Sequence, residues 1–164
     1  MPATGFERWG IQMAKKNKKT AYVRCRGGSI SCTYGCLGCG LCVEACRLGA
    51  ISIGDNGAAV VDSGKCVGCG LCAGACPQSI IDIIDAGFNI QPACSNKDAG
   101  KAAREACVNS CIACRLCEKN CPADAVHVVD NRAVIDPEKC ICCGMCAIKC
   151  PRGVIRDLHG IMTD

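Results

Sequence analysis

The sequence predicts an α+β chain of short hairpins and short helices, arranged as two tandem units with little conventional core. Three observations carry this prediction. Four cysteine runs of the form CxxCxxCxxxC begin at Cys36, Cys66, Cys111 and Cys140. The third and fourth runs repeat the first and second at nearly constant offsets, 75 positions from Cys36 to Cys111 and 74 from Cys66 to Cys140. Such spacing is the mark of an internal duplication. Finally, cysteine supplies 21 of the 164 residues, while Trp, Tyr and Phe together supply five. Units this small and this poor in large apolar side chains need disulfides or metal to hold together.

The cysteine pattern selects metal. The count is odd, most cysteines lie three residues apart, and no secretory signal precedes them, so an oxidised extracellular framework is disfavoured and a reducing cytoplasm is expected. Three thiolates at two-residue gaps fold around one face of an iron–sulfur cubane. A fourth, three residues further and followed by proline, reaches the second cubane in two-cluster ferredoxins. Three of the four runs end in Cys-Pro. Each unit is therefore read as a bacterial-type dicluster ferredoxin-like unit, and the chain as a carrier of four 4Fe-4S clusters. Zinc also takes four thiolates, but four such runs are hard to reconcile with zinc knuckles.

The crossed-ligand rule assigns the sixteen ligands. Cluster I takes Cys36, Cys39, Cys42 and Cys76, and cluster II takes Cys66, Cys69, Cys72 and Cys46. Cluster III takes Cys111, Cys114, Cys117 and Cys150, and cluster IV takes Cys140, Cys143, Cys146 and Cys121. Glycines inside the ligand loops, such as Gly38, Gly40, Gly68, Gly70 and Gly144, permit the close backbone approach that amide donation to the sulfurs requires.

In chain order, residues 1–20 form a mobile basic arm with Phe6, Trp9, Ile11 and Met13 ahead of Lys15, Lys16, Lys18 and Lys19. It reads as a solvated tail or as a docking segment for a partner or an anionic membrane surface. The first unit spans 21–85. In it, Ile51–Ile53 and Val60–Val61, joined through Asp55-Asn56-Gly57, form a small hairpin, and Leu71–Ala75 form a helical turn that Pro77 discourages from continuing. Residues 86–110 are a connector, with Gly87 and Pro92 as breakers and a helix over Asp98–Val108. The second unit spans 111–157, with a hairpin of Val126–Val129 and Ala133–Ile135 around Asp130-Asn131-Arg132. Residues 158–164 are a tail.

Arg47 stands where the other runs have proline, and Arg115 stands where they have glycine, inside a cluster loop. There it is either a cation that raises that cluster's potential or a solvent-pointing side chain. Five cysteines lie outside the sixteen. Cys142 occupies a spacer position and reads as a small packing residue. Cys25, Cys32, Cys94 and Cys107 are enough for one more cluster or a zinc, or stand as buried, cluster-shielding thiols. Their spacing matches no ligand run.

The formal charge of +4 assumes neutral thiols. A cubane with four thiolates carries about −2, so four of them take the chain to about −4. With few aromatics for base stacking, a nucleic-acid partner is disfavoured. No run approaches the roughly 18 apolar residues of a membrane span. The two histidines, His127 and His159, lie in a strand and in the tail. No nucleophile–base pair or phosphate-cradling loop accompanies them, so no active site of the chain's own is expected.

From Ala21 onward the residues resemble a known family. Ala-Tyr-Val-Arg-Cys at 21–25, Cys-Thr-Tyr-Gly-Cys-Leu-Gly-Cys-Gly at 32–40, Ala-Cys-Ser-Asn-Lys-Asp-Ala-Gly at 93–100 and Asn-Arg-Ala-Val-Ile-Asp at 131–136 resemble the C-terminal polyferredoxin region of the B subunit of the Rnf-type ferredoxin:NAD electron-transport complex. The likeness runs over about 21–157. It implies electrons taken from reduced ferredoxin and passed toward flavin- and NAD-handling subunits of a membrane complex, at the cytoplasmic face. Family members usually carry a membrane-anchoring helix and a further cysteine-rich domain ahead of this region, and the sequence shows neither, as expected of a soluble relative or a truncated product. The reading is a wiring subunit of a larger oxidoreductase, with a free-standing soluble polyferredoxin as the alternative.

Overall fold

The computed structural model describes residues 18–27, 31–88 and 90–158. The arm at 1–17 and His159 with the rest of the tail lie outside the described residues.

Each half is built on the same plan: a strand pair that ties the two ends of the half together, and a hairpin between the two cysteine runs. In the first half, β1 (Lys19–Val23) pairs antiparallel with β4 (Ile81–Asp85), Val23 opposite Ile81 and Lys19 opposite Asp85. The hairpin is β2 (Ile51–Ile53) with β3 (Ala59–Val61). In the second half, β5 (Ile90–Pro92) pairs with β8 (Ile155–Asp157), and the hairpin is β6 (Val126–Val129) with β7 (Arg132–Ile135). The β6–β7 turn places both Asp130 and Asn131 at positive φ, 49° and 61°, the backbone of a two-residue turn that matches strand twist.

Four of the helices are single turns that begin on the residue before the third cysteine of each run. They are α1 (Leu41–Ala45), α2 (Leu71–Ala75), α4 (Leu116–Lys119) and α5 (Met145–Lys149). A further helix, α3 (Gly100–Ala106), lies between the halves.

Two separate cores result, and both contain cysteine. One gathers Ala21, Val23, Ile51, Ile80 and Ile81 with Cys42, Cys66 and Cys72. The other gathers Ile90, Val126, Val154 and Ile155 with Cys94, Cys111, Cys117 and Cys146. Sulfur replaces the missing large side chains as the inner packing material.

The structure differs from the sequence reading in two boundaries. Lys19 and Thr20, grouped by sequence with the arm, belong to β1. Inside the supposed connector lies the strand β5, and Pro92, read as a breaker, is its last residue. A two-stranded ribbon consists only of edges, where a missing N–H is tolerated. Helix α3 is also shorter than the Asp98–Val108 expected.

The halves are joined by specific polar contacts. Ser31 N–H donates to Ala106 O (3.0 Å), Arg26 Nη1 to Gly153 O (2.8 Å), and the Ser95 hydroxyl to Arg24 O (3.0 Å). Within the second half, Arg152 donates to the carbonyls of Cys107 (3.1 Å), Val108 (2.6 Å) and Ser110 (3.3 Å), just past the end of α3.

Candidate metal centres

Every cysteine run is folded on one backbone template. Left-handed residues recur at three equivalent places. Between the first and second cysteines they are Gly38, Gly68, Ala113 and Cys142. Before each single-turn helix they are Gly40, Gly70, Arg115 and Gly144. After the fourth cysteine they are Gly49, Ser79, Asp124 and Gly153. The turn is thus dictated by what the run wraps, since three of the four runs accept a non-glycine residue at one or more of these places despite its steric cost. At Gly68 a side chain is also excluded by contact: a Cβ there would lie 2.6 Å from the Lys19 Cβ and 2.9 Å from its carbonyl.

The structure brings the cysteines together in crossed sets. A cavity with about 350 Å³ of empty space, mouth included, is lined by Cys36, Cys39, Cys42 and Cys76. A second of about 330 Å³ is lined by Cys111, Cys114, Cys117 and Cys150. In each, three sulfurs come from one run and the fourth from the other run of the same half. In the second half, the thiolates of Cys140, Cys117 and Cys121 all lie near enough to Cys146 to repel it. Cys66 and Cys69 act on Cys72 in the same way, and Cys46 shares their core. Among the described residues no three His, Cys, Asp or Glu side chains are grouped to hold one metal ion. Four thiols standing around a cavity suit a multi-atom cluster better than a zinc ion.

Backbone N–H groups point at the sulfurs, as a thiolate ligand requires. Ala50, Ala125 and Val154 donate to the sulfurs of Cys46, Cys121 and Cys150, each 3.3 Å away and four residues back. The left-handed residue just before each donor turns its amide inward. Ala59 N–H reaches Cys36 Sγ at 3.4 Å, and Ala21 N–H reaches Cys66 Sγ at 3.3 Å. These donors, the turns and the cavities together fit 4Fe-4S clusters.

Burial raises several of the candidate ligand thiols. It pushes Cys117 up to about 11 and Cys146 up to about 12, helped by neighbouring thiolates. Cys42, Cys72 and Cys140 are raised by burial in the same way. At Cys66 burial also acts upward, but donation from Ala21, Gly68 and Thr20 and the charge of Lys18 outweigh it, leaving the thiol below its usual value. Binding iron must therefore release protons from most of these groups.

The residues singled out by sequence fall as follows. Arg115 lines the second cavity but is half-exposed and paired with Glu118 at 3.2 Å, so part of its charge is already answered. Arg47 is exposed. Cys142 is half-buried against the second core, and its N–H donates to Cys140 Sγ at 3.4 Å. His127 in β6 lies 3.5 Å from Glu118. Cys25, Cys32, Cys94 and Cys107 line one further cavity. Sequence spacing does not show that set as a ligand run, because its members come from the segments after β1 and β5 and from Cys32 and Cys107, far apart in the chain.

Comparison with known proteins agrees with this chemistry. A 4Fe-4S dicluster domain family matches residues 35–80, and 4Fe-4S binding domain families match 108–124 and 133–156. The chain is 47% identical over 81 residues to the B subunit of the proton-translocating ferredoxin:NAD(+) oxidoreductase complex of Clostridium ljungdahlii, covering 49% of this chain and 28% of that protein. It is 36% identical over 123 residues to the B subunit of the ion-translocating oxidoreductase complex of Methanosarcina acetivorans, covering 60% and 47%. It is 46% identical over 113 residues to the B subunit of the Na(+)-translocating ferredoxin:NAD(+) oxidoreductase complex of Acetobacterium woodii, covering 69% and 34%. The chain spans less than half the length of these relatives. It carries 4Fe-4S ferredoxin-type domains and, over the residues it shares with them, is a relative of the B subunits of Rnf-type ion-translocating ferredoxin:NAD oxidoreductase complexes.

Proposed function

We propose that this chain relays single electrons through four 4Fe-4S clusters as a wiring subunit of a larger, Rnf-like oxidoreductase complex, with no substrate site of its own. The observation that carries the reading is the crossed cavity. Cys76 joins Cys36, Cys39 and Cys42 around one space, and Cys150 joins Cys111, Cys114 and Cys117 around another. The sixteen ligands are then the four sets given by the crossed rule.

A bound 4Fe-4S cluster accepts and returns one electron with little change of shape. The chain's own residues hold the thiolates in place, donate N–H groups to the sulfurs and exclude water from the inner edge of each site. The second cysteines Cys39, Cys69 and Cys114 are exposed. Beside them, Leu37 and Val67 stand 61% and 60% exposed. Electrons enter and leave at these edges, where a redox partner can approach.

The partners fitting this role are reduced ferredoxin or a flavoprotein, met at the cytoplasmic face of a membrane complex. No described helix is long and apolar enough to cross a membrane, so in this reading attachment runs through other subunits. The test is iron and acid-labile sulfide analysis of anaerobically purified protein, followed by rapid mixing with reduced ferredoxin. At least about sixteen irons and sulfides per chain are expected, with bleaching of the cluster absorbance by the ferredoxin. Fewer irons, or zinc without sulfide, would overturn the reading.

A further inference from the structure

We propose that Cys25, Cys32, Cys94 and Cys107 ligate a fifth 4Fe-4S cluster at the junction of the two halves, between the sites built on Cys36 and on Cys111.

The four thiols line one cavity, and no other cysteine does. Its empty space, about 300 Å³, is close to that of the two crossed cavities, at about 350 and 330 Å³. Cys32 lies near enough to both Cys94 and Cys107 for their thiolates to repel, and Cys25 acts likewise on Cys107. As elsewhere among the described residues, the thiols are not grouped for a single ion.

The surroundings are those of ligands. Gly27 N–H donates to Cys25 Sγ at 3.4 Å, Asn96 N–H to Cys94 Sγ at 3.4 Å, and Cys111 N–H to Cys94 Sγ at 3.3 Å. Asn96 is 1% exposed and lines the cavity, and its side-chain Nδ2 has no hydrogen-bond partner among the described residues. A buried donor of this kind is costly unless something accepts from it, and a cluster sulfide is such an acceptor. Arg26 also lines the space and offsets the negative charge a cluster brings, while Arg24, which lines it too, is paired with Asp82 at 2.7 Å.

The duplication supplies a second, independent reason. Cys25 and Cys94 each stand two residues past the end of a strand, β1 and β5. Arg24 N–H to Ile80 O (2.8 Å) and Ala93 N–H to Val154 O (2.9 Å) fix them identically. Both sulfurs accept the N–H two residues on. Cys32 and Cys107 each precede a ligand run by four positions. Gly35 and its counterpart Ser110 complete the lining. Each half thus contributes the same two thiols from the same two places. At Gly35 a Cβ would come within 3.3 Å of Cys25 Sγ and 3.7 Å of Cys32 Sγ, so a side chain there would crowd both sulfurs.

The position between clusters follows from neighbours in the chain. Gly35 adjoins Cys36, a ligand of the first crossed set, and the Cys111 amide that donates to Cys94 belongs to a ligand of the third. The electron path becomes continuous from one half to the other. This placement rests on the four-cluster reading, but the ligand set does not.

Iron, sulfide and zinc are counted on the anaerobically reconstituted full chain and on two double variants, Cys25→Ser/Cys32→Ser and Cys94→Ser/Cys107→Ser. The wild type should hold about twenty irons and twenty sulfides, and each variant about sixteen, with one reduced-cluster signal missing from its EPR spectrum. A wild-type count of about sixteen overturns the fifth cluster while sparing the other four, whatever the variants do. A count well below sixteen overturns both readings. Sixteen irons with one zinc overturns the cluster in favour of a metal ion, and twenty irons retained in both variants overturns the ligand set.

Discussion

At the scale of single residues, the chain separates two demands that glycine usually meets together. Gly40 and Gly68 both sit at positive φ, 78° and 71°, but a Cβ at Gly40 would meet nothing within 4 Å, whereas at Gly68 it would run into Lys19 of β1. Gly40→Ala should cost only the left-handed backbone penalty, about 1–2 kcal/mol. Gly68→Ala should cost that and the displacement of β1 from the Cys66 site. The check is urea titration of the reconstituted protein, following cluster absorbance. Gly68→Ala should lose absorbance at clearly lower urea than Gly40→Ala, and coincident curves would show that the contact with Lys19 does not matter. Residues such as Arg115, Ala113 and Cys142 explain why the template is only partly legible in sequence. Its glycines can be spotted where they occur, but the fold imposes the same backbone where they do not.

At the scale of elements, the unit is a pair of runs tied by a strand pair. Cys46→Ser should remove the cluster whose other ligands are Cys66, Cys69 and Cys72, and leave the one on its own run with its full set of Cys36, Cys39, Cys42 and Cys76. EPR of the reduced variant, compared with Cys39→Ser and Cys69→Ser, reads the outcome. The signal lost should match that of Cys69→Ser, and a match to Cys39→Ser would refute the crossing. The hairpins β2–β3 and β6–β7 were legible from apolar triplets around Asp-Asn-Gly and Asp-Asn-Arg, and the helical turns from the run spacing. Strand β5 was not. Three residues with Pro92 at the end carry no periodicity, and only the partner β8, more than sixty positions away, makes them a strand. The four cysteines of the further cavity could be named from their number, but not their meeting in one cavity, because Cys94 is placed by that strand.

At the scale of the whole molecule, charge depends on cofactor content. The apo chain has a formal charge of +4, and four clusters bring it to about −4. Apo protein should bind a cation exchanger at pH 7 and loaded protein an anion exchanger. Retention of loaded protein on the cation exchanger would contradict the count of thiolate-bound clusters. The same reversal should abolish any affinity of the apo chain for nucleic acid, which makes such binding a sign of incomplete loading.

The shared thiols at the junction also impose an order on biosynthesis. Cys25 and Cys32 emerge from the ribosome with the first half, whose own two cluster sites can be completed as soon as Cys76 has appeared. Their partners Cys94 and Cys107 follow only later in translation. Until then the first two thiols lie at an unfinished surface, open to oxidation or to stray metal. With a cluster at the proposed junction site, the last step of maturation would be the closing of one half on the other. A chain halted before Cys107 would be an electron carrier of two clusters with a vulnerable dithiol at its edge.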